Sequence, residues 1–303
     1  MNKLIVIVGP TASGKTDSSI NLAKKFNGEV ISADSRQIYK GMDIGTAKPI
    51  DLQNVPHWML DIKNPDQIYS VAEYKEEAVR IIKDIQERGK LPIMVGGTGL
   101  YVKSVVDNLD IPKVQADPIL RQKIEKDVEQ KGLDFVFKKL IALDPEATYI
   151  IDPKNPRRVI RALEITLLTK KPYSAQRKSG SPLFDVCQIG IKPEKADLIK
   201  RINLRIDQMV KDGLVDEVKN LIKKYPPSRR AGGKNQQAFD AIGYREIIDY
   251  LNNKATLPQA IEDMKMNTWH YAKRQITWFN ADKRIHWIKD CKESENLVRR
   301  FIG

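Results

Sequence analysis

Residues Gly9-Pro10-Thr11-Ala12-Ser13-Gly14-Lys15-Thr16 match the spacing G-x-x-x-x-G-K-[ST], whose chemistry is phosphate binding. The glycines let the backbone curl so that successive N–H groups point at an anion; Lys15 adds a positive charge, and the Thr16 hydroxyl can ligate Mg²⁺. Loops of this kind mostly hold ATP or GTP, with an acid at the end of a second core strand that holds the metal through water or positions a nucleophile. The acid here is Asp34, at the end of EVISADS, whereas the run LPIMV ends in Gly96-Gly97-Thr98-Gly99 without one. Beside the loop, Asp34 is a candidate general base or metal-sphere ligand; with Ser35 alone it is as readily a helix cap or turn former. His57, His270 and His286 show no metal-ligand spacing, and Cys187 and Cys291 are too few for a disulfide framework or a cysteine-rich zinc site.

These residues need an edge that presents them together. The apolar runs LIVIV, EVISA and LPIMV read as short strands, separated by the helical patterns TDSSINLAKKF and SVAEYKEEAVRIIKDIQERG, whose Ser70 and Glu73 have capping-box spacing. This alternation predicts an α/β fold with a parallel sheet of the phosphate-loop NTPase type, and its strand ends would put Asp34 and Thr98 at the ligand-binding carboxyl edge. After IPKVQADP the chain turns helical through ILRQKIEKDVEQKG, LDFVFKKLIAL and NPRRVIRALEITLLTKK. FDVCQIGI is a return strand, followed by the amphipathic stretches KADLIKRINLRIDQMVKDG and LVDEVKNLIKKY. YPPSRRAGGKNQQ reads as a flexible loop, and AFDAIGYREIIDYLN and LPQAIEDMKMNTWHYAKRQITWF as helices. The expected organisation is a phosphate-loop core of residues 1–112 and about 181–303, with a helical, basic insertion at about 113–180.

At 303 residues the chain can bury one large core, or a core and a smaller domain. No apolar run approaches the roughly 18 residues of a membrane span. Met1 leads directly towards a strand with no signal peptide, so a cytoplasmic location is expected. The net charge of +13 is unevenly placed: residues 1–112 are neutral, with 14 basic and 14 acidic side chains, so the whole excess lies beyond them. Lys154 to Lys178 carries eight basic residues against the single acid Glu164, and Lys265 to Gly303 nine against four. That is the footprint of a polyanionic partner, most often nucleic acid.

GPTASGKT, ISADSRQIYKGMDIGTAKP, VGGTGLY, NPRRVIRALEI, AIGYREI and AKRQITWF, in this order from Gly9 to Phe279, resemble the tRNA dimethylallyltransferases, the bacterial tRNA isopentenyl transferase family. The resemblance implies transfer of a dimethylallyl group from dimethylallyl diphosphate to N6 of the adenine at tRNA position 37, in tRNAs reading codons that begin with U. The loop Gly9 to Thr16 then grips a diphosphate, with Mg²⁺ on Thr16 and Lys15 at the leaving oxygen, and Asp34 takes the amine proton as the N–C bond forms. By the same resemblance Asp34, Ser35, Arg36 and Gln37 contact the target nucleotide, and Thr98 contacts tRNA and orients the base. Arg205 resembles an arginine of the diphosphate site, with Arg201 as a neighbouring alternative. Arg157, Arg158, Val159, Ile160 and Arg161 match one tRNA-facing segment, and Asp240, Ala241, Ile242, Gly243, Tyr244 and Arg245 another. Arg121 matches less closely, and Arg157 stands where many members have Gln. Lys273 and Arg274 are expected to meet RNA phosphates from a helix that also carries Gln275 and the aromatics Trp269, Trp278 and Phe279, of which at least two are expected in the core.

The target adenine must leave its stack to react, and Tyr39, Tyr101 or Tyr244 could pack against it. The partners expected are therefore the anticodon stem-loop of tRNA and dimethylallyl diphosphate, with no membrane, for a monomeric enzyme. Three other readings stay open at this level: an adenylate isopentenyltransferase using a free nucleotide, a phosphate-loop small-molecule kinase, and a non-catalytic RNA-binding module.

Overall fold

The computed structural model describes residues 2–112, 114, 117–176, 179–226, 236–289 and 291–303, without the side chains of Gln236, Cys291 and Lys292. Among the described residues, six parallel strands form one sheet: β1 (Lys3–Val8), β2 (Gly28–Ser32), β3 (His57–Trp58), β4 (Leu91–Gly96), β5 (Asp185–Ile191) and β6 (Ile285–Ile288). Their spatial order is β3-β2-β4-β1-β5-β6. The helices are α1 (Lys15–Lys25), α2 (Val71–Glu87), α3 (Gly99–Val106), α4 (Pro118–Lys131), α5 (Leu133–Leu143), α6 (Ala147–Ile150), α7 (Pro156–Thr169), α8 (Lys195–Lys211), α9 (Leu214–Lys224), α10 (Gln236–Phe239), α11 (Tyr244–Leu251), α12 (Leu257–Asn280) and α13 (Cys291–Ile302).

β1 reads as an unbroken apolar run because both of its faces are covered. Leu4, Val6 and Val8 enter a core shared with α2, α8 and α12. Ile5 and Ile7 enter the opposite core, with Ile20 and Leu22 of α1 and Val298 of α13. Pairing of β1 with β4 on one side and β5 on the other brings Val8 level with Gly96 and Gly190. The loop after β1 therefore opens in the middle of the carboxyl edge. α2 begins as read: Ser70 Oγ accepts from Glu73 N at 3.2 Å, and the Glu73 carboxylate accepts from Ser70 N at 2.8 Å.

Two compact units divide the described chain, one running from Asp107 to Ser181 and the other made of what precedes and follows it. The first packs α4 to α7 around Ile124, Val136, Leu140, Val159 and Leu163. Strand β3 is two residues long and carries no readable alternation; β6, α3 and α13 were likewise not among the expected elements. AFDAIGYREIIDYLN is not one helix. Gly243 takes φ +96°, which stops the helical backbone, and Glu246 accepts its N–H at 2.8 Å to start α11 afresh. Most of the expected loop YPPSRRAGGKNQQ lies outside the described residues.

Glu29 ties the far edge of the sheet together. Its side chain, 2% exposed, accepts from both terminal nitrogens of Arg88 beyond α2, from Lys90 Nζ at 2.7 Å and from Trp58 Nε1 of β3 at 2.8 Å. The Arg88 hydrogen bonds are the main reason the carboxyl is lowered to about 2. A depressed carboxylate contributes stability above its unfolded value, and that contribution is lost as pH falls towards the folded one. Glu29→Gln is therefore expected to cost about 3 kcal/mol at pH 7 and to flatten the loss of stability between pH 5 and pH 2. Urea unfolding of both proteins at several pH values measures this; parallel curves would show the network to be stability-neutral.

Candidate functional site

The chain leaves β1 through Gly9, whose φ is +146° and where a Cβ would lie 2.4 Å from the Ile191 carbonyl oxygen of β5. Gly14, at φ +89°, caps α1, so no side chain covers the first N–H groups of the helix. Lys15 Nζ curls back to donate to Pro10 O at 2.5 Å. Ser13 Oγ is buried with no hydrogen-bond partner. These are the features of an anion cradle.

Lys15 is lowered to about 7, first by desolvation and then by Arg205, with Asp34 opposing. One ammonium thus senses the cation of α8 and the carboxylate after β2. Arg205 is itself lowered by desolvation, while Asp17 of α1 pulls it back, and the residue is solvent-accessible. Arg201, one turn earlier on α8, is exposed. Among the described residues no three His, Cys, Asp or Glu cluster to hold a metal alone. A hydroxyl such as Thr16, with phosphate oxygens and water completing the shell, is a donor set that suits Mg²⁺.

Asp34 forms the turn read for it. Its Oδ1 accepts from Arg36 N at 2.8 Å and Gln37 N at 3.4 Å, forming the turn after β2. Its Oδ2 takes no hydrogen bond from the described residues, and the carboxylate raises the pKa of Lys15, Tyr74, Tyr101 and Tyr271 around it. Thr98 locks on from β4: its N–H donates to Ala33 O at 3.1 Å and its Oγ1 accepts from Ser35 N at 3.0 Å. Asp34, Ser35, Arg36, Gln37 and Thr98 are all partly exposed, so the segment is reachable. Much of it is nevertheless bonded within the chain. Gln37 Nε2 donates to Thr46 O and Ala47 O, and Arg36 Nη1 to Gln237 O of α10.

The motif MDIGTAKP is held by a residue that sequence reasoning missed. One Glu217 carboxylate of α9 accepts from the N–H groups of Asp43, Ile44 and Gly45 at 3.0, 2.7 and 3.1 Å, and from the Tyr244 hydroxyl at 2.5 Å. Lys48, buried, donates to Tyr39 O, Asp43 and Asp61. This loop therefore braces the Asp34 turn.

Tyr39 and Tyr244 are completely buried, and Tyr101 is nearly so, stacked on Tyr74 with ring centroids 3.9 Å apart. None of the three presents a free ring face to a base; aromatic residues beside a motif are core here. Within the Asp240 to Arg245 segment, Ala241, Gly243 and Tyr244 are buried, Asp240 and Ile242 are partly exposed, and Arg245 pairs with Glu246 at 2.8 Å. On α12, Lys273 and Arg274 are exposed, their cations over the rings of Trp269 and Tyr271. Phe279 is in the core as expected and Trp269 packs against it, whereas Trp278 is 38% exposed. Gln275, next along the helix, is buried: its Oε1 accepts from Thr11 N at 2.8 Å and its Nε2 donates to Gly97 O at 3.0 Å.

In the Asp107–Ser181 unit, Arg121 and Arg161 both bond the fully buried Glu164, at 2.5 and 2.6 Å. Arg161 also donates to Val114 O at 2.8 Å. Their charges are thus spent at least in part inside the unit. Val159 is buried and Ile160 packs against the same core, while Arg157 and Arg158 are exposed on α7.

A family model described as IPP transferase matches residues 37–282. The chain is 46% identical over 306 residues to the tRNA dimethylallyltransferase of Carboxydothermus hydrogenoformans, covering 99% of this chain and 96% of that one. It is 44% identical over 307 residues to the enzyme of the same name from Bacillus cereus, covering 99% and 95%. Among solved structures it is similar to the full-length tRNA isopentenylpyrophosphate transferase of Bacillus halodurans, with TM-score 0.71, 43% identity and coverage of 100% and 96%. It also resembles a eukaryotic dimethylallyltransferase captured acting on tRNA, with TM-score 0.78, 30% identity and coverage of 99% of this chain and 77% of that one.

Proposed function

The chain belongs to the IPP transferase family, and from that premise we propose that it transfers a dimethylallyl group from dimethylallyl diphosphate to N6 of adenine 37 in tRNAs reading codons that begin with U. The products are N6-(dimethylallyl)adenosine and diphosphate. The enzyme is a tRNA prenyltransferase; relatives across nearly its whole length are named tRNA dimethylallyltransferase or tRNA isopentenylpyrophosphate transferase, which favours it over the free-nucleotide and kinase readings. The observation that carries the mechanism is that the loop bearing Lys15, after β1, and the turn bearing Asp34, after β2, open on the same carboxyl edge of the parallel sheet: a cation for a leaving diphosphate and a carboxylate for the incoming amine.

The loop amides, Lys15 and Arg205 hold the diphosphate and take up its growing charge as the C–O bond breaks. Mg²⁺, held by the Thr16 hydroxyl, would add to that neutralisation when bound. An exocyclic amine is too weak an acid to be ionised beforehand. Asp34 therefore accepts its proton as the N–C bond forms and the nitrogen acidifies. Thr98 keeps the Asp34 turn in place and faces the extruded base. The RNA is gripped by its anticodon stem-loop through Arg157, Arg158, Lys273, Arg274 and the Asp34 to Gln37 segment, by a monomer in the cytoplasm. No described helix is long and apolar enough to cross a membrane.

Incubation with labelled dimethylallyl diphosphate, Mg²⁺ and either unmodified tRNA or AMP tests the reading. Label is expected in tRNA at adenine 37; label in AMP alone, or phosphate transfer from ATP instead, would overturn it. The RNA grip has its own test. Arg158→Ala is expected to reduce the salt slope of tRNA binding by about one, whereas Arg161→Ala, which removes a partner of the buried Glu164, is expected to lower the melting temperature. Equal salt slopes for Arg158→Ala and the parent would return Arg158 to protein structure.

A further inference from the structure

Gln275 joins two pieces of the site that come from opposite ends of the chain. It is 5% exposed, and both ends of its amide are used: Oε1 takes the Thr11 N–H of the phosphate loop, 264 residues away in sequence, and Nε2 gives to Gly97 O at the end of β4. The amide orientation is fixed by this pairing of one donor and one acceptor. Gly97 has been left without a side chain to allow it, since a Cβ there would lie 2.0 Å from Gln275 Nε2.

The next residue after Gly97 is Thr98, which bonds Ala33 and Ser35 on either side of Asp34. A continuous path therefore runs from the Thr11 amide through Gln275, Gly97 and Thr98 to the turn of the carboxylate. We propose that Gln275 is a positioning residue for prenyl transfer: it sets the separation between the loop that holds the leaving diphosphate and the turn that holds the base. This rests on the function proposed above. Gln275 itself touches neither reactant. Its effect is on alignment, because displacement requires the amine, the allylic carbon and the leaving oxygen to lie in line, and an error of about 1 Å costs on the order of a hundredfold in rate.

Two substitutions separate alignment from folding or RNA contact. Gln275→Met fills the space and removes both hydrogen bonds; kcat is expected to fall about a hundredfold, with KM for dimethylallyl diphosphate and Kd for tRNA within about threefold of the parent. Gly97→Ala pushes a methyl group into the Gln275 amide and is expected to lower kcat in the same way. In a Gln275→Ala background the vacated space accepts that methyl, so Gly97→Ala should add little further loss. A kcat within threefold of the parent for Gln275→Met, a loss confined to tRNA Kd, or fully additive effects of Gly97→Ala and Gln275→Ala would each overturn the role. Should Gln275→Met fail to fold, the Gly97→Ala pair decides alone. A parent that transfers no label to tRNA would overturn the functional reading, whereas active parent and unaltered variants would overturn only the role of Gln275.

Discussion

Asp34→Asn is expected to abolish turnover as thoroughly as Asp34→Ala, by a factor of about 10³ or more, while tRNA affinity stays within about threefold of the parent. The comparison matters because Asp34 has two uses. Its Oδ1 forms a turn with the amides of Arg36 and Gln37, a task that an asparagine oxygen performs equally well. Proton acceptance needs the carboxylate itself. If the turn were the whole of its role, Asn would restore activity and Ala alone would fail. Single-turnover rates with bound tRNA, measured beside a filter-binding Kd, distinguish the two, and an active Asn variant would remove Asp34 as the base.

Lys15→Met is expected to do two opposite things: to lower kcat/KM for dimethylallyl diphosphate by about 10²–10³, and to raise the thermal stability of the free, metal-depleted protein. The second effect follows from the desolvation that lowers Lys15 from 10.5 to about 7. A lysine whose folded pKa lies below its unfolded one opposes folding most strongly below the folded value, where it must be buried charged. Between about pH 7 and the ordinary lysine range the unfolded chain holds more protons, so this contribution to stability rises with pH. The parent should therefore gain on the variant as pH climbs from 7 towards 10, and the two melting curves should converge. A variant that melts lower than the parent at pH 7 would mean that the Pro10 hydrogen bond outweighs the burial of the charge.

Features with a local cause were readable in the residues. The phosphate loop lies between an apolar run and a helix, Ser70 and Glu73 satisfy each other three residues apart, and Leu133–Leu143 forms the helix that its apolar spacing indicates. What was hidden is long-range. Glu217 reaches the amides of Asp43 to Gly45, and Gln275 the amide of Thr11 and the carbonyl of Gly97, across more than 170 residues in every case. No periodicity marks such residues. Glu164 was visible as a lone acid in a basic run, yet only the fold shows that it draws in Arg121 and Arg161. Tyr39, Tyr101 and Tyr244 were misplaced for a related reason: position beside a motif says nothing about which side of the backbone carries the ring.

The central place of β1 also bears on synthesis at the ribosome. Its neighbours are β4 and β5, and β5 is encoded only after the whole Asp107–Ser181 unit. While that unit emerges, β1 waits with one open edge, a surface able to pair with any other nascent strand. The 264 residues between Thr11 and Gln275 take roughly 10–50 s to translate. For that interval the chain owns every residue of its anion loop but lacks the glutamine that braces it. The helical unit, able to bury its own Val136, Leu140 and Val159, can condense in the meantime, leaving the sheet to close last.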